Sequence, residues 1–230
     1  MSGSDRAPER LLARSPLFGS LPAETLREMF ADARTASYPK GSLIDNDEGT
    51  EWFNVVADGR IKLLLSDPIS GRNFAPFLLE RGDAFDLITL LDGAPHTMTP
   101  VAQEAATLWR LPMAEARRWL TRYPDFNAAL LPYLATQMRH LEELSASVIF
   151  DDTATRLARI ILRHARPVEG EERMLTVERL SHELLAELVG SVRSVVSTQL
   201  KKLREEGLIR HRRGRILVED LEKLLQRIER

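Results

Sequence analysis

Residues 181–203 read SHELLAELVGSVRSVVSTQLKKL, a stretch that fits two short helices joined by a tight turn. In the first, Leu184, Leu185 and Leu188 form an apolar stripe at helical spacing, and Leu180 and Leu185 are placed to staple its start. Gly190 supplies a residue that tolerates positive φ at the bend, and Ser191 is expected to cap the second helix. There Val192, Val196, Leu200 and Leu203 recur at helical spacing and are expected to face inward. Arg193, Ser194, Ser197, Thr198 and Lys201 then line the opposite side, a polar rod suited to a DNA major groove.

The charge is distributed accordingly. Residues 191–215 carry eight Lys and Arg against two Asp and Glu, in a chain whose formal charge is −2. Residues 1–180 sum to −5 and residues 181–230 to +3. A cationic face confined to one end suits phosphate contact, which supplies most of the sequence-independent affinity for nucleic acid. A merely solvated helix face is the plainer reading of Lys201, Lys202 and Arg204, but it accounts for neither the bend nor the capping pattern. Beyond it, Gly207-Leu208-Ile209 ends the helix and begins a β-run that turns at Arg212-Arg213-Gly214-Arg215 and returns through Ile216-Leu217-Val218. This is the layout of a winged helix-turn-helix. Arg212, Arg213 and Arg215 at the hairpin tip are expected to reach neighbouring phosphates, and residues 219–228 to form a closing helix.

With 230 residues and 43% hydrophobic content the chain can fill two cores. It has no cysteine, which excludes disulfides, thiolate zinc sites, cysteine-ligated iron–sulfur clusters and cysteine nucleophiles. Its polar start and the lack of any run of ~18 apolar residues predict a cytoplasmic protein with no membrane partner.

Residues 1–10 read as a loose arm, and Pro22 introduces a helix through Leu26, Met29 and Phe30. From Tyr38 to Leu111 short apolar runs alternate with turns such as Ala57-Asp58-Gly59-Arg60 and Glu80-Arg81-Gly82-Asp83, the texture of an antiparallel barrel or roll. Met113–Leu120 reads as a helix, and a longer one follows Tyr123-Pro124-Asp125 to about Phe150. Along it Leu134, Met138, Leu141, Ser145 and Val148 alternate four and three apart, the spacing of a coiled-coil seam between two copies; the plainer alternative is a helix packed on its own barrel. Asp151-Asp152-Thr153 is the expected hinge, followed by a helix over 154–164 and a loop over 167–173. The expected fold is α+β: a sensor β-roll over 11–122, a dimerisation helix over 123–150 and a winged helix-turn-helix over 151–230.

Three motifs in this order, Val56-Ala57-Asp58-Gly59-Arg60-Ile61-Lys62-Leu63, Gly82-Asp83-Ala84-Phe85 and Leu188-Val189-Gly190-Ser191-Val192-Arg193, resemble the CRP/FNR family of bacterial transcription regulators over nearly the whole chain. The resemblance implies an N-terminal cyclic-nucleotide-binding-like roll whose effector shifts a homodimer on a palindromic double-stranded operator, and contact with RNA polymerase. It places the effector region at Phe85, Asp86, Leu87, His96, Thr97, Leu141 and Glu142. The Gly-Glu pair of the cyclic-AMP binders falls on Asp86 and Leu87, their Arg-Ser phosphate clamp on His96 and Thr97, and their polar pair on Leu141 and Glu142. None of these contacts is retained, so cyclic AMP is not the expected effector. The cysteines of the iron–sulfur members are absent as well. Haem-based gas sensing, with His96, His140, Met98 and Met138 as candidate ligands, a small organic metabolite, and no ligand at all with control by abundance stay open. In the reading helix Arg193 falls on the family's arginine, suited to a guanine edge; Ser194 replaces a common glutamate and Thr198 a second arginine.

Two other classes compete. A metal-dependent enzyme on a roll needs clustered histidines and carboxylates, yet the roll offers only His96, with no H-x-H spacing, no phosphate-cradling glycine loop and no G-x-S-x-G turn. A ligand-binding module whose C-terminal part contacts protein has no need of the basic face.

Overall fold

The computed structural model describes residues 8–44, 51–168, 171–212 and 214–228. They divide between two compact units, one comprising the chain up to Leu65 with Pro76–His140, the other Ser66–Ala75 with Leu141 onward.

The first unit opens with α1 (Pro8–Leu11), so the arm reading fails for Pro8, Glu9 and Arg10; residues 1–7 lie outside the described residues. Then come α2 (Ala23–Met29), directly after Pro22, and the strands β1 (Arg34–Tyr38), β2 (Trp52–Asp58), β3 (Ile61–Ser66), β4 (Asn73–Leu79) and β5 (Ala84–Phe85). A short helix α3 (Leu87–Asp92), β6 (Thr99–Ala102), β7 (Ala106–Pro112) and α4 (Met113–Arg122) follow. The strands form two antiparallel sheets, ordered β1-β7-β2-β5 and β4-β3-β6.

Two cores explain why β2 reads FNVVA rather than alternating polar and apolar. Phe53 and Val55 join Phe18, Phe30, Trp109, Trp119 and Phe126 in one cluster. There Trp119 meets Phe126 edge-on at 5.5 Å and Phe53 at 5.6 Å, an arrangement that adds about 0.5–1.5 kcal/mol per pair beyond burial. On the opposite face Val56 packs with Leu108, Ile61, Leu79 and Ala102, the filling between the two sheets. A strand buried on both sides needs apolar residues at every position, and Asn54, fully buried, is the exception.

The helix α5 (Pro124–Phe150) runs for 27 residues. Phe126, Leu130 and Tyr133 on one side are buried in the aromatic cluster. Among the described residues no helix is long and apolar enough to cross a membrane.

The second unit contains α6 (Thr153–His164), β8 (Arg166–Val168), β9 (Glu171–Glu178), α7 (His182–Val189), α8 (Arg193–Glu205), β10 (Ile209–Arg212), β11 (Arg215–Val218) and α9 (Leu221–Ile228). The hinge residue Asp152 is the cap of α6, accepting from the Thr155 N–H at 2.7 Å, and that bond holds its carboxyl below the usual range. The loop reading of 167–173 is overturned: β8 and β9 pair antiparallel, and β9 pairs with β11, so the wing is a four-stranded sheet ordered β10-β11-β9-β8. Residues 169 and 170 lie outside the described residues.

Candidate nucleic-acid interface

The two helices of the motif meet at Gly190, whose φ of 64° and ψ of 44° are left-handed; its N–H and that of Ser191 close the end of α7 on Glu187 and Ala186. Ser181 caps the start of α7 by accepting from the Leu184 N–H at 3.1 Å, with Leu180 and Leu185 buried around it. Gly190→Ala is therefore expected to lower stability by about 1–2 kcal/mol, the cost of a Cβ in left-handed backbone, which denaturant unfolding would measure.

On α8 the inward stripe is Val196, Leu200 and Leu203, all buried. Val192 departs from the expected pattern: it is 47% exposed and occupies the cap position itself, so Ser191 does not cap this helix. The turn ends one residue later than its composition suggests, leaving Val192 extended and outside the helical repeat. Arg193, Ser194, Thr198 and Lys201 are exposed, and Ser191 and Ser197 half-buried. Arg193 is the first helical residue, a cation at the positive end of the helix dipole, which costs about 0.3–1 kcal/mol at an exposed site. A residue placed against its local electrostatics marks a surface kept for something other than stability.

The hydroxyls are committed differently. Thr198 donates to the Ser194 carbonyl one turn back at 3.1 Å, and Ser197 lies 2.9 Å from His182 Nδ1 on α7. The His182 ring is in turn 5.9 Å from that of His211 on β10, whose imidazole is held below its ordinary value by burial, then by His182 and Arg204. His182 was not legible as part of this surface, because only tertiary packing brings it to α8.

At the wing tip Arg212 and Arg215 face each other across the hairpin, both exposed; Arg213 lies outside the described residues. Arg215 pairs with Glu178 at 2.9 Å and Lys201 with Glu205 at 3.7 Å. These are surface pairs of small energy, readily exchanged for phosphate.

The Crp-like helix-turn-helix domain family matches residues 155–227. The "CRP-like cAMP-activated global transcriptional regulator" of Mycobacterium tuberculosis is 23% identical over 223 residues, covering 95% of this chain and 99% of that protein. Residues 155–227 are a Crp-like helix-turn-helix domain, and the chain is similar to regulators of the CRP/FNR family. The regulator is also similar to the cyclic AMP receptor protein of Thermus thermophilus, 27% identical over 208 residues, with 90% of this chain and 93% of that protein covered. Its fold matches a CooA variant from Carboxydothermus hydrogenoformans with a TM-score of 0.77 at 21% identity, over 95% of this chain and 98% of that one. It is thus a transcription regulator with a DNA-binding helix-turn-helix, and its relatives are regulators rather than enzymes.

Of the residues assigned to an effector, the roll brings Asp86 and His96 together: His96 Nε2 lies 3.0 Å from Asp86 Oδ1, with the Asp86 side chain 2% exposed. Phe85 is buried between the sheets and Leu87 in the aromatic cluster, whereas Thr97 is exposed. Leu141 and Glu142 are exposed on α5, in the second unit. Of the residues considered for haem, His96 Nε2 faces Asp86, and the buried His140 places Nε2 2.8 Å from the Pro76 carbonyl. The carboxylate beside it raises the His96 imidazole above its ordinary value, against partial burial. A raised folded value stabilises the protein fully below the unfolded value of about 6.5 and is lost as pH rises through the folded one. Thermal unfolding between pH 6 and 8 should accordingly show stability falling with pH, and His96→Gln should flatten that slope.

Proposed function

We propose that the regulator is a homodimer that reads a palindromic duplex operator with Arg193 on a guanine edge, through an effector other than cyclic AMP acting in the β-roll. The observation that carries this reading is the exposed row Arg193, Ser194, Thr198 and Lys201 opposite the buried Val196, Leu200 and Leu203. Ser191, Ser197, Arg212, Arg213 and Arg215 complete the surface, positioning it on phosphates. Ser197, tied to His182, orients α8 against α7. In this reading residues 11–122 sense, 123–150 dimerise and 151–230 bind DNA, with RNA polymerase as the downstream contact. Dimerisation is supported by the exposed side of α5, where Met138, Leu141 and Val148 are joined by Leu131 one step earlier, giving heptad spacing from 131 to 148. Leu134 is half-buried and packs partly on its own unit, and Ser145 spends its hydroxyl on the Leu141 carbonyl at 2.7 Å.

Selection of bound duplexes from genomic fragments, with and without cell extract and at several salt concentrations, tests the reading. The expected result is an enriched palindrome whose affinity falls steeply with salt. No enrichment over random competitor under either condition would overturn it.

A further inference from the structure

Three side chains at the start of α8 are placed against both water and helix stability. Val192, in the cap position, is 47% exposed and offers the first turn no side-chain acceptor, where Ser, Thr, Asp or Asn is the stabilising choice. Val195 is 36% exposed although its neighbour Val196 is fully buried, so the inward face of the helix is already set and Val195 is turned out by it. Thr198 is exposed, and its hydroxyl donates to the Ser194 carbonyl, which leaves the γ-methyl as the unengaged end of the side chain. Residues three apart are neighbours on a helix, so 192, 195 and 198 form one continuous strip of methyl groups. Single apolar residues on a surface need no explanation. This strip, however, is made wholly of β-branched residues, which a helix disfavours, and it shares the exposed surface of α8 with Arg193, Ser194 and Lys201.

We infer that the strip reads a thymine: Val195 and the Thr198 methyl close over the 5-methyl group of a thymine in the same half-site as the guanine contacted by Arg193. In the major groove only thymine presents a methyl group, and an apolar side chain is the chemistry that tells it from cytosine and from the purines. Given α8 as the helix that enters the groove, the reading on which this rests, the cation and the strip address two different bases from one stretch of helix. Arg193 to Thr198 spans about 7.5 Å of helix axis, roughly two base-pair steps of about 3.4 Å, which places the thymine within about three base pairs of the guanine. The hydroxyls of Thr198 and Ser197 are engaged within the protein, so a methyl contact supplies the base choice that they do not.

Replacing each thymine of the selected operator by deoxyuridine, one position at a time in one half-site, removes only the methyl group, and fluorescence anisotropy with the full-length protein reads the cost. One thymine within that window is expected to lose about fourfold in affinity with its methyl, the value of one buried methyl group, while the other positions stay within about twofold. Val195→Ser should make the thymine and uracil duplexes bind equally at that position. Thr198→Ser, which keeps the hydroxyl and deletes only the methyl, should shrink the difference, and the guanine preference should be unchanged in both variants. Both positions are exposed, so neither change opens a cavity, and level unfolding midpoints would report an intact fold. An operator with no uracil-sensitive thymine in the window, as a strip that meets protein instead would give, overturns the assignment, and so does a sensitivity that survives both substitutions; either result leaves operator binding and the Arg193 contact standing. Failure to select any operator removes the reading of α8 itself, and the thymine with it.

Discussion

Arg193→Ala lowers affinity for the selected operator by about 5- to 150-fold and flattens the preference at one base position, as fluorescence anisotropy on duplexes varied at each position would record. The range corresponds to the roughly 1–3 kcal/mol of discrimination that a bidentate arginine–guanine contact supplies. Arg193 is the exposed long side chain at the start of α8, and the hydroxyls beside it are partly spent: Thr198 on its own helix, Ser197 near His182. Hydroxyl groups also discriminate weakly among bases, so base choice through hydrogen bonds concentrates on the one guanidinium. Removing it relieves a cation at the helix N-terminus, so the folded state should lose nothing and the unfolding midpoint should stay level or rise slightly. Equal weakening on every sequence would instead make Arg193 a phosphate contact and leave the operator to be read through the shape of the duplex.

The second large effect is expected on α5. Met138→Glu combined with Leu141→Glu should convert the protein to a monomer in sedimentation and lower operator affinity by at least about 100-fold. Met138 is 63% exposed and Leu141 41% exposed, so neither change opens a cavity in the monomer's own core. Each new carboxylate would face its counterpart across a two-stranded seam, where like charges repel and burial of charge is costly. Loss of one copy removes the tethering that makes the second half-site an intramolecular event, worth 10²–10⁴ in avidity at roughly millimolar effective concentration. A doubly substituted protein that still sediments as a dimer would place the contact elsewhere. Val148, Ile149 and Phe150, the last 81% exposed, would then be the next surface to change.

The parts of this protein that its chain announced are those built from neighbours in sequence. A glycine between two apolar stripes sets the bend at Gly190, a run of arginines around Gly214 sets the hairpin, and a four-and-three alternation sets the exposed side of α5; each needs only one helix or one hairpin to be drawn. The short helix α3 escaped notice because its six residues carry less than two turns of pattern. The strands β8 and β9 were hidden because the glutamates and glycine around 169–172 read as a loop, while the pairing that makes them a sheet comes from β11, some forty residues on. Val192 was misplaced for a related reason: a helical repeat can be extended one residue too far when nothing local marks where the turn ends.

The amino-acid sequence by itself thus determined the bent pair of helices, the basic rod and its glycine elbow, because helix periodicity and turn geometry act over a few residues. Tertiary structure alone decided which distant side chains share a face: Asn54 with Asp86 and His96, Arg34 opposite Arg110, Ser197 beside His182, Arg215 on Glu178. Strand register is set by how two sheets bury their inner residues against each other, and a shift of a single residue would turn Asn54 toward the helices instead.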